Sequence, residues 1–66
     1  MTEEMNESPK TVLVMESEFA HARHTTRLLE AMGCRVLLAR DTNEATARLG
    51  EQIPDLMVIT IWQLDN

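Results

Sequence analysis

The chain has 66 residues, an apolar fraction of 44%, and 11 Asp and Glu against 6 Lys and Arg, for a formal charge of −5. So short a chain is one domain at most, and a domain of this size buries only about 60% of its unfolded surface, which leaves little stability in reserve. The acidic balance argues against nucleic-acid binding by this segment, because phosphate contacts need a cationic patch.

Residues 1–9, ending at Pro9, are polar and acidic and read as a flexible arm. Thr11 to Met15, TVLVM, is short, β-branched and continuously apolar, as suits a strand buried on both faces. Ser17 is a good N-cap residue, and a helix is expected from about Glu18 to Met32. Phe19, Ala22, Thr25, Leu28, Leu29 and Met32 recur at helical spacing as its inward face. Gly33 stands where a C-terminal capping glycine belongs.

Arg35 to Ala39, RVLLA, is the second strand. Asp41 with Glu44 approximates a capping box for a helix over about Thr42 to Gly50, with Ala45 and Leu49 facing inward. Pro54 marks a break, and Asp55 to Ile61, DLMVITI, is a third apolar strand. The order β-α-β-α-β with continuously apolar strands predicts an α/β fold. Right-handed crossovers then give a three-stranded parallel sheet in order 2-1-3, with one helix on each face.

Three stretches carry a family resemblance: KTVLVMESE at 10–18, LLEAMGCRVLLARDTNEA at 28–45 and PDLMVITIWQLDN at 54–66. Residues 10–66 resemble the N-terminal half of a response-regulator receiver domain of the CheY-like, flavodoxin-like type. In that family two acidic residues after the first strand and an aspartate ending the third hold Mg²⁺, and that aspartate accepts a phosphoryl group. Here Glu16 keeps the first carboxylate, whereas Ser17 and Thr60 fall on the other two positions. Mg²⁺ needs several oxygen ligands, with carboxylates supplying charge. A threonine hydroxyl cannot form an acyl phosphate. Glu16, Ser17 and Thr60 are therefore expected to form a vestigial pocket at the carboxyl ends of the strands, the place where open α/β sheets bind ligands.

The resemblance implies a non-enzymatic pseudo-receiver. It would be a phosphorylation-independent interaction module in bacterial signal transduction, with no cofactor. A second reading is the N-terminal part of a longer regulator whose output domain, for example a DNA-binding one, lies beyond Asn66. A third is a small metal-binding protein using Glu18, His21 and His24, although no further ligand is evident.

With order 2-1-3 the third strand is an edge, and a proline-free apolar edge is a template for pairing. A homodimer through that strand is expected, with His21, Thr25, Leu56, Val58, Ile61, Trp62 and Leu64 as interface candidates. Arg23, Arg27, Arg35, Arg40 and Arg48 read as scattered surface charges. Cys34 reads as a small buried thiol. A lone cysteine excludes an intramolecular disulfide, and no Cys/His set has zinc-site spacing. No run approaches the roughly 20 apolar residues of a membrane span, and no signal-peptide pattern opens the sequence. A cytoplasmic protein is expected.

Overall fold

The structure, a computed structural model, describes residues 9–60. Five elements follow one another: β1 (Thr11–Met15), α1 (Phe19–Ala31), β2 (Arg35–Ala39), α2 (Thr42–Glu51) and β3 (Leu56–Ile59). The strands form one parallel sheet in order β2-β1-β3. This is the α/β arrangement expected from the sequence, with β1 in the centre.

Burial follows the pleat of β1. Val12, Leu13 and Val14 are fully buried, because the central strand is covered on both faces. Leu13 joins Ala39 of β2 and Ala45 of α2 in one cluster, with Met15, Leu37 and Leu49 packed around it. That cluster places α2 on the face of the odd-numbered β1 residues. The register pairs Val12 with Val36 and Leu56, and Val14 with Leu38 and Val58, on the opposite face. There α1 contributes Ala22, its one buried residue.

The helix ends have distinct chemistry. α1 begins one residue later than the sequence suggested, with Glu18 at the N-cap position. Ser17 is not its cap: it is exposed and lies one position too early, and the Glu16 carboxylate accepts the N–H of Glu18 itself. At the other end Gly33 has φ +90°, in the left-handed region that suits glycine. The Cys34 N–H donates to the Leu29 carbonyl at 3.0 Å and the Gly33 N–H to the Glu30 carbonyl at 2.9 Å, completing a Schellman closure. α2 starts at Asp41, whose side chain accepts from the Glu44 N–H at 2.9 Å. The return arm of the box reaches one residue further back, to the Arg40 N–H at 2.8 Å.

The helical stripe of α1 overstated its buried face. Phe19 and Met32 are each 74% exposed and Leu28 is 54% exposed. The physical reason is the position of the helices: α1 and α2 both pack on β1 and β2, and neither approaches β3. β3 is consequently open on both faces, with Leu56, Met57 and Ile59 all exposed. Among the described residues, no helix is long and apolar enough to cross a membrane.

Candidate functional site

The site follows from the register. Met15 pairs with Ala39 on one side and Ile59 on the other. The next residue of each strand, Glu16, Arg40 and Thr60, therefore continues one row across the carboxyl ends of the sheet. Backbone bonds hold the row in place. The Glu16 N–H donates to the Ala39 carbonyl at 2.9 Å, and the Thr60 N–H donates to the Met15 carbonyl at 3.1 Å. Two of the three expected pocket residues, Glu16 and Thr60, thus share one end of the sheet, and Ser17 follows Glu16 as an exposed residue.

Glu16 is 3% exposed, an unusual place for a carboxylate. Its Oε2 accepts the Glu18 N–H at 3.0 Å, at the entry to α1. One oxygen of this buried carboxylate is thereby tied to the start of α1. Thr60, half-buried on the far side of β1, brings a hydroxyl and no charge.

Arg40 occupies the third position of the row and is tied down. Its guanidinium meets the Glu44 carboxylate through Nε at 3.2 Å and a terminal nitrogen at 3.0 Å. Donation from the Arg40 backbone and then its side chain lowers the pKa of the Glu44 carboxyl. The same side-chain bond raises that of the Arg40 guanidinium. Arg48, one turn beyond Glu44, donates from Nε to the Leu38 carbonyl at 3.1 Å. Beside these groups lies a cleft of about 280 Å³ lined by Glu16, Ser17, Phe19, Leu38, Arg40 and Arg48, among others. Arg40 and Arg48 are exposed, as surface charges are, and Glu44 and Arg48 also bond backbone groups at the end of β2. The spacing Arg40, Glu44, Arg48, in steps of four around a capping box, was the sequence signal for them.

The interface candidates divide. Leu56 is 57% exposed and Val58 is half-buried on β3, whereas His21 and Thr25 lie on α1, which does not approach that strand. Ile61, Trp62 and Leu64 lie outside the described residues, as does the acidic arm before Pro9. Between the end of α1 and β3 runs a second groove of about 460 Å³, with Val12, Leu29, Met32 and Leu56 as apolar lining and Lys10 and Asp55 as its charged groups. Cys34 also lines this groove and is a free, half-buried thiol.

Among the described residues, no group of three or more His, Cys, Asp or Glu side chains is placed to hold a metal ion. Glu18, His21 and His24 therefore do not gather into a ligand set. No protein-family model matches the chain, and no curated protein or solved structure matches it.

Proposed function

We propose that the chain is a receiver-like module that works by binding protein and not by phosphotransfer, in the setting of bacterial signal transduction. The observation that carries this reading is the row Glu16, Arg40 and Thr60 at the carboxyl ends of the strands. In a phosphoryl-accepting site that row would offer a free carboxylate nucleophile beside others that hold Mg²⁺. Here Glu16 is buried with one oxygen bonded at the start of α1, Arg40 meets Glu44, and Thr60 offers a hydroxyl. The sheet placement supports a receiver-like plan, and the open β3 strand supports protein binding as the activity. The free Cys34 thiol fits a reducing cytoplasm.

The test is intact-mass analysis after incubation with acetyl phosphate and Mg²⁺. An unchanged mass is expected. Gain of one phosphoryl group at any carboxylate would overturn the reading.

A further inference from the structure

The two helices place their cations differently. α2 carries Glu44 in its first turn and Arg48 in its last, where each charge stabilises a helix. Arg40 and Arg48 also meet the carboxylates of Glu44 and Glu51, at 3.0 and 3.9 Å. α1 has no acidic residue in its first turn and no basic residue in its last. Its arginines, Arg23 and Arg27, stand four apart in the helix interior, a spacing at which like charges repel. Among the described residues no ion pair or hydrogen bond engages either side chain, although Glu30 lies three residues beyond Arg27. These two charges therefore do nothing for the helix that carries them.

They share the side of α1 that faces away from the sheet. Ala22 is the buried residue of the helix, and Ala20, Arg23, His24 and Arg27 are all exposed. At about 100° per residue these four fall between roughly 100° and 200° around the axis from Ala22. With Ala20 as a small floor, Arg23, His24 and Arg27 line a shallow depression of about 250 Å³. The depression is a local exception in an acidic chain: the formal charge is −5, and −7 without these two arginines. That contrast limits the size of the ligand. A nucleic-acid backbone running past the depression would meet the negative remainder, whereas a short carboxylate-bearing segment would not.

We propose that this face of α1 binds an extended acidic segment of a partner protein, through two carboxylates set two residues apart. This rests on the reading of the chain as an interaction module and names the chemistry of its partner. Four residues of helix separate Arg23 from Arg27 by a rise of about 6 Å. Two residues of extended chain rise about 6.6 Å and direct both side chains to the same side. A Glu-x-Glu segment lying along the helix therefore brings one carboxylate to each guanidinium, and each planar fork can donate two bonds to it. Ala20 leaves the floor of the depression open to the segment.

The test titrates the full, isotope-labelled chain with the end-capped peptide Gly-Glu-Ala-Glu-Gly and follows the amides by NMR. Saturable shifts are expected at Arg23, His24 and Arg27. Binding should weaken at least several-fold for the peptide Gly-Gln-Ala-Gln-Gly and again at high salt, which screens exposed charges. Arg23→Gln and Arg27→Gln change exposed residues, so each should keep its circular dichroism and still weaken binding at least several-fold. Absence of shifts on α1, or variants that bind as the unmodified chain does, overturns the proposal. Equal binding of Gly-Glu-Glu-Ala-Gly overturns the spacing. Tighter binding of a single-stranded oligonucleotide at the same residues overturns the choice of partner. Binding that appears only after residues 1–8 are removed assigns the face to the chain's own acidic arm and also overturns it. None of these readouts depends on phosphoryl acceptance, so failure of the underlying reading appears separately, in the acetyl phosphate experiment.

Discussion

Thr11 and Asp55 hold each other by two hydrogen bonds that run in opposite directions. The Thr11 N–H donates to Asp55 Oδ2 at 2.7 Å, and the Asp55 N–H donates to the Thr11 carbonyl at 2.8 Å. Together they pin the start of β3 to the start of β1. Gln52 adds a longer contact, from Nε2 to the Thr11 hydroxyl at 3.4 Å. No helix approaches β3, so this clasp and the β1 ladder are what hold the strand.

Asp55→Ala is accordingly expected to destabilise the fold. It leaves the Thr11 N–H without its acceptor in a residue only 7% exposed. An orphaned buried donor costs about 1–3 kcal/mol. Asp55→Asn keeps an acceptor oxygen and should recover part of that loss. Urea unfolding of the three proteins checks it. Equal midpoints for all three would remove the clasp from the account.

Gly33→Ala isolates backbone strain from packing. A Cβ at Gly33 would meet no atom within 4 Å, so space is not at issue. The φ of +90° is, and an L-residue there is expected to cost about 1 kcal/mol. The same unfolding measurement reads it, and a stabilised variant would contradict the Schellman closure described here.

The Arg40–Glu44 pair predicts a pH dependence with a definite sign. The carboxyl of Glu44 titrates lower in the folded chain than in the unfolded one, because Arg40 donates to it from backbone and side chain. Its contribution is therefore complete above the ordinary carboxylate range and is lost as pH falls through the depressed folded value. The pair is exposed, so the effect on stability is small. Glu44→Gln should flatten the acid limb of the stability curve, because it removes the group that titrates. Urea unfolding against pH for the two proteins measures it. Identical profiles would show that Arg40 does not hold the Glu44 carboxyl in its charged form.

β1 and β2 were legible to the residue, because continuous β-branched and aliphatic runs between polar turns leave no alternative boundary. The Asp41 cap and the Gly33 closure were legible for a similar reason: each is local, set by residues a few positions apart. The buried face of α1 was not. Periodicity reports an apolar stripe, but which part of it is covered depends on where the helix sits on the sheet, and Phe19 and Met32 fall outside that footprint. The strand order that sets Glu16 and Thr60 at one end of the sheet follows from the alternating pattern of strands and helices. The capping of β2 was missed. The bond from Arg48 to the Leu38 carbonyl spans ten residues, and only the packing of α2 on the sheet brings the two groups together.

Amide hydrogen exchange followed by NMR tests most directly whether β3 is an open edge on which a protein partner can act. The outward Met57 and Ile59 amides should exchange rapidly, while the inward Val58 amide stays protected by β1. Protection at Met57 and Ile59 equal to that at Val58 would contradict an open edge.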